Sequence, residues 1–298
     1  MTVAQQILQA VLYADLFEHP MTEREVWRWM PTSVPISKRA FAIALAKLVR
    51  QKKVMAITPF VLFPKHKQYL GLHASRLMVS QKKWKKAYGI ARMLRYIPTI
   101  LFVGVTGSLA MNNAKDNDDI DICIITAPKT VWITRLVSTV LVELFARRRH
   151  PYTTNIKDTI CLNMFLSEHS LRMDALHQDV YIAHELLQMV PLWERKGITR
   201  KLLQVNKWVR TYYRHAYDEK MKQIVRHTPR HKRAEKIWKI IERPVKWAQI
   251  CYMRSKRTTE EISANQILFH PANTRESVIA TYQLRCKSYK IPLDNNEK

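Results

Sequence analysis

The chain has 298 residues, 47% of them apolar and 25% charged, long enough for a sizeable core and for two or three domains. Its 50 Lys and Arg stand against 24 Asp and Glu, a net charge of +26, more than solubility requires, and the excess argues for an anionic partner: nucleic acid, nucleotide or an acidic membrane surface. Four scattered cysteines (Cys123, Cys161, Cys251, Cys286) form no CxxC pair, which argues against a disulfide framework and a zinc site and fits a reducing, cytoplasmic setting.

The N-terminal segment "MTVAQQILQAVLYADLF" has no basic leader and meets Asp15 early, so it does not read as a signal peptide. Residues 3–17 carry apolar positions at helical spacing. "TEREVWRWM" (22–30) opens with a capping box formed by Thr22 and Glu25. A third helix over 37–53 has Ser37 as its cap, and 54–63 alternates and turns at Pro59. Three helices followed by a small hairpin is the pattern of a winged helix. Its third helix carries Lys38, Arg39 and Lys47, suited either to nucleic acid or to protein docking.

A helix is expected over 80–97, with Lys82, Lys83, Lys85 and Lys86 on its first turns and Pro98 after its end. There follow an apolar strand (99–107), a Gly107-Ser108 turn into a short helix, a polar loop, and a second strand "DIDICIIT" (119–126). Side chains alternate across a strand, so Ile120, Ile122 and Ile124 share one face while Asp119 and Asp121 share the other. These aspartates either cap the loop-to-strand junction or hold one or two hard divalent cations. Gly107-Ser108, separated from Asp119 by a ten-residue gap, offers free backbone N–H groups that favour phosphate.

Gly107-Ser108, the gap and then Asp119-Ile120-Asp121-Ile122 resemble the nucleotidyltransferase motif of the DNA polymerase β superfamily. The stretches "LYADLFEHPMT" (12–22), "CLNMFL" (161–166), "AHELLQMVPLWER" (183–195) and "FHP" (269–271) are also similar to a group of bacterial proteins with a winged-helix-like N-terminus, this core and a helical C-terminal part. The resemblance implies that Asp119 and Asp121 bind Mg²⁺ (or Mn²⁺) carrying a nucleoside triphosphate and that Gly107 and Ser108 hold its β and γ phosphates. An acceptor hydroxyl would then attack the α-phosphorus. Active members add a third carboxylate from a later strand. Here the candidate strand, 159–166, offers Asn163 at its centre, on the parity of Cys161 and Phe165, with Asp158 and Glu168 at its ends as substitutes. Arg135 would reach the triphosphate or form an ion pair.

The apolar stretch 131–146 is too short and too charged to span a bilayer and reads as a buried helix ending in "ARRRH" (146–150), where basic residues suit the helix dipole. "AHELLQ" lacks the second histidine of a zinc protease, so His184 and Glu185 read as helix packing. His270 reads as a turn or interdomain contact. Residues 200–257 are basic helices interleaved with Trp208, Tyr212, Tyr213, Trp238, Trp247 and Tyr252, suited to nucleic acid or to peripheral contact with an anionic membrane. The expected architecture is α+β: a winged-helix-like domain (1–78), a small mixed-sheet nucleotidyltransferase core (79–178) and a helical basic domain (179–298). Two functions compete. One is a metal-dependent nucleotidyltransferase moving a nucleoside monophosphate from an NTP to a hydroxyl acceptor. The other is a non-catalytic, regulatory nucleotide- or nucleic-acid-binding protein with a degenerate core.

Overall fold

The computed structural model describes residues 1–150, 154–195, 197–223, 227–228, 232–254, 261–262, 266–268 and 272–292. Helix α1 (Val3–Asp15) starts at Thr2, where a capping box with Gln5 satisfies two orphan N–H groups. The short strand β1 (Met21–Thr22) runs into α2 (Glu23–Trp29), opened by the Thr22–Glu25 capping box. Helix α3 (Lys38–Arg50) is capped by Ser37, whose hydroxyl accepts from the Ala40 N–H. Strands β2 (Met55–Ile57) and β3 (Phe60–Leu62) complete a three-stranded antiparallel sheet in the order β1-β3-β2.

Helix α4 (Tyr69–Leu94) begins earlier than the sequence suggested. Ser80 is therefore not a cap; it is buried in mid-helix, where its hydroxyl accepts from the Ala114 N–H. The lysine run consequently lies away from the helix dipole's positive end, and Lys83 is buried while Lys82, Lys85 and Lys86 stay exposed.

The remaining elements are β4 (Ile100–Val105), α5 (Gly107–Ala110), β5 (Ile120–Thr126), α6 (Val131–Phe145), β6 (Ile160–Ser167), α7 (Val180–Gln188) and β7 (Val190–Arg195). After them come α8 (Ile198–Val205), α9 (Val209–Tyr212), α10 (Arg214–Lys222), β8 (His227–Thr228), α11 (Lys232–Arg254), β9 (Glu261–Ile262), β10 (Gln266–Leu268) and α12 (Ala272–Ser288). Seven strands form one mixed sheet in the order β8-β7-β4-β5-β6-β10-β9. Strands β4 and β5 are antiparallel, and β5–α6–β6 is a parallel crossover. The chain is thus α+β, and no helix among the described residues is long and apolar enough to cross a membrane.

The sheet corrects one expectation. Residues 179–298 are not wholly helical, because β7 pairs with β4 in the middle of the sheet and β10 pairs with β6. Every residue of β4 is buried, so both its edges need partners for their backbone polar groups. Pro191 lacks an N–H and cannot continue α7, which ends at Gln188, and the chain turns directly into the strand.

Both faces of the sheet are covered. Ile120, Ile122 and Ile124 belong to one apolar cluster with Val103, Trp132 and Phe165. Cys123 and Ile125 belong to the other, which joins the sheet to α1, α2, α7 and the helices after β7. Asp121 therefore lies on the face that the N-terminal helices and α7 pack over.

Candidate functional site

Asp119 precedes β5 and Asp121 is its second residue, and alternation brings both carboxylates to one face as expected. The third group is Cys161, opposite Asp121 in the parallel register. One ligand atom from each of Asp119, Asp121 and Cys161 lies within 4.8 Å of the others. Burial, reinforced by the Asp119 charge, pushes the Asp121 carboxyl up to about 7, while the Cys161 thiol donates to it. Burial and the two aspartates raise the thiol itself, so it stays protonated. Two carboxylates fit Mg²⁺ or Mn²⁺, which seldom takes an all-protein cage and would complete its shell with water or phosphate oxygens. A protonated thiol adds little for such a hard ion.

Gly107 is placed against this pair. Its φ is +66°, in the left-handed region, and a Cβ built there would stand 2.8 Å from Asp121 Oδ2. Only glycine supplies that backbone conformation and that clearance without strain. The Thr106 N–H donates to the Asp121 carbonyl at 3.1 Å, tying the turn to the strand. Ser108 Oγ donates to Asp118 Oδ2 at 2.9 Å, and the Lys115 N–H donates to the same oxygen at 2.8 Å. The loop carrying the aspartates is further held by buried Lys83, which donates to the Asp116 and Asp118 carbonyls at 3.1 and 2.7 Å and to Asp158 Oδ1 at 2.8 Å.

A cation that the sequence reading did not assign to the site reaches it. Arg149 Nη1 donates to Asp119 Oδ2 at 2.6 Å. Strand β5 advances the chain by roughly 23 Å. Helix α6 returns it by roughly 22 Å. The residues just past α6 therefore come back to the strand's Asp end, where the Arg149 N–H bonds Ile160 O at 2.9 Å. The same geometry puts Arg135, on the first turns of α6, at the opposite end. Its guanidinium donates to Gln249 of α11.

Asn163 is buried and sits in an irregularity of β6. The two-residue step from Asp121 to Cys123 on β5 faces a three-residue step from Cys161 to Met164 on β6. The extra residue reverses strand parity, so Phe165 joins the isoleucine face and not that of Cys161. The position across from Asp121 is thus Cys161, not Asn163. The substitute carboxylates are committed elsewhere: Asp158 to Lys83 and Lys86, Glu168 to Lys201. His270 lies outside the described residues.

Beside Gly107 and Ser108 opens a cavity of about 250 Å³, at the junction of α1, α2 and α7. His184 forms part of its wall, its ring stacked on Trp29 at 4.0 Å between centroids; burial lowers its pKa to about 3, so it is neutral. Glu185 also lines the cavity, and burial pushes its carboxyl up to about 8 with a further contribution from Asp121. Spacing had marked both residues as packing, and only the tertiary fold exposes Glu185 to a cavity. Comparison with known proteins returned no match: no family model, no curated protein and no solved structure is similar enough to the chain to assign it a relative.

Proposed function

We propose that the protein is a metal-dependent nucleotidyltransferase, moving a nucleoside monophosphate from an NTP to a hydroxyl acceptor. The observation that carries this reading is the Asp119–Asp121 pair held against the positive-φ Gly107. Two carboxylates would anchor a divalent ion, and phosphate oxygens would complete its shell. A bound ion would neutralise charge on the attacking and leaving oxygens. Asp119 and Asp121 position it. Arg149, a forked donor beside Asp119, would move from the carboxylate to a phosphate oxygen as the nucleotide enters. Lys83 keeps the Asp-bearing loop fixed from below.

The N-terminal unit supports a winged-helix reading, with Lys38, Arg39 and Lys47 exposed on α3 for nucleic acid. Helix α11 exposes Trp247 and Tyr252 among its basic residues, a surface suited to nucleic acid or an anionic membrane.

One observation favours a second reading, a non-catalytic nucleotide-binding protein. Among the described residues no third carboxylate joins Asp119 and Asp121, and a thiol takes that place. The test is transfer of label from each α-labelled NTP, with Mg²⁺ or Mn²⁺, to nucleic-acid, protein and small hydroxyl acceptors. Transfer abolished by Asp121→Asn supports the enzyme. Nucleotide binding that needs the aspartates, without transfer to any acceptor, supports the second reading.

A further inference from the structure

The cavity beside Gly107 combines features that favour a ligand of one charge type. Its walls are the rings of Tyr13, Trp29, Tyr181 and Tyr213, and its polar groups include Glu185 and Gln188. Tyr181 and Glu185 are four residues apart on α7 and so share one helix face. Among the described residues Tyr181 makes no ring contact, whereas Trp29 stacks on His184, Tyr13 lies tilted against His184, and Tyr213 meets both Trp29 and His184 edge-on. The Gln188 side-chain amide donates to Glu185 Oε1, and no described cation stands within ion-pair distance of that carboxylate. His19, which also lines the cavity, has no hydrogen-bond partner on either ring nitrogen, with Glu25 3.8 Å away.

A carboxylate in an aromatic enclosure without a counter-charge is costly, and Asp121 adds further negative charge. An anion placed against the ionised Glu185 carboxylate is repelled. A cation is favoured both by the carboxylate and by the ring faces. We propose that this cavity binds the ammonium group of a small organic cation, with Glu185 as its counter-charge and the Tyr181 ring as its platform. On the transferase reading such a molecule is the hydroxyl acceptor, delivered beside Asp119 and Asp121. That step rests on that reading; the binding itself does not.

The test uses the full chain in metal-free buffer without nucleotide, above about pH 8, where the Glu185 carboxyl ionises. Calorimetric titration compares choline with 3,3-dimethylbutanol, the same shape without the charge. Choline is expected to bind at least tenfold more tightly, Glu185→Gln to remove that preference, and Tyr181→Leu to weaken choline severalfold while leaving the alcohol unchanged. If Glu185→Gln does not fold, Tyr181→Leu carries the test. Equal binding of the two probes, no binding of either, or choline affinity indifferent to the substitutions overturns the proposal. So does displacement of choline by adenosine with an affinity that Glu185→Gln leaves intact, which makes the cavity a nucleobase site. Since neither metal nor nucleotide is present, failure here leaves the Asp119–Asp121 reading standing, and loss of that reading leaves this result standing.

Discussion

The Gly107 backbone and the Asp121 carboxylate are in contact so close that a single methyl group has no room between them, the nearest oxygen standing 2.8 Å from a Cβ built on Gly107. The contact joins the Gly107-Ser108 turn to the strand that carries Asp121, so the two halves of the candidate site are one unit. Gly107→Ala is therefore expected to displace the Asp121 side chain and to cost about 1 kcal/mol from its left-handed backbone. Loss of Mn²⁺ binding with only a small drop in unfolding midpoint would show this. Unchanged Mn²⁺ affinity would show that the contact is incidental.

On the proposed reading, Arg149 and a metal ion compete for Asp119. Arg149→Gln removes one positive charge next to the site, worth roughly 1 kcal/mol, so Mn²⁺ alone should bind about fivefold more tightly. The metal–NTP complex should bind more weakly in the same variant, because a phosphate partner is lost. A parallel change in both affinities contradicts the role given to Arg149.

The proton on Asp121 must leave when a divalent ion binds. Burial and Asp119 hold that carboxyl up to about 7, so Mn²⁺ affinity should fall as the pH drops through this value and binding should release a proton. Titration in buffers of different ionisation enthalpy measures the release. Affinity that stays flat from pH 8 to pH 5 would contradict it.

These features were unequally legible in the sequence. Thr22 and Glu25, Ser37, Gly107-Ser108 and the Asp119–Asp121 alternation are read from spacings of a few residues, because capping and strand pleat are local. Cys161 was hidden because a one-residue irregularity in β6 moves the register, and no local pattern marks it. Arg149 was read as a helix-dipole partner, yet the matched lengths of β5 and α6 were enough to return it to Asp119. Strand β7 was absorbed into a helical reading although Pro191 argued against one. Glu185 reaches its cavity only because α1 and α2 fold over α7, a long-range event that spacing does not encode.

His184 gives a second pH dependence. In the folded protein it stays neutral down to about 3, whereas an unfolded chain protonates near 6.5. Between these values the unfolded state binds more protons, so stability is full above 6.5 and falls with acidity by up to about 1.4 kcal/mol per pH unit. His184→Phe keeps a ring on Trp29 and should remove this contribution, making the acid limb of the denaturation curve shallower. An unchanged limb would place the titration elsewhere.

Lys83 ties α4 to the Asp-bearing loop. Lys83→Met would leave the Asp116 carbonyl and Asp158 Oδ1 without their donor and take one of two donors from the Asp118 carbonyl, at a cost of about 2–3 kcal/mol. Denaturant titration should show this loss, and hydrogen exchange should quicken across residues 115–119 more than across α4. Uniform quickening would mean that Lys83 supports the fold as a whole.

On the proposed reading, Asp119 and Asp121 hold a divalent ion bound to a nucleoside triphosphate. Electron paramagnetic resonance of Mn²⁺, titrated with protein in the presence and absence of each NTP, measures this directly. At least one NTP is expected to tighten Mn²⁺ binding tenfold or more in the wild-type chain, with the effect lost in both Asp119→Asn and Asp121→Asn. Mn²⁺ binding that ignores every NTP, or an NTP effect that survives both substitutions, would contradict the account.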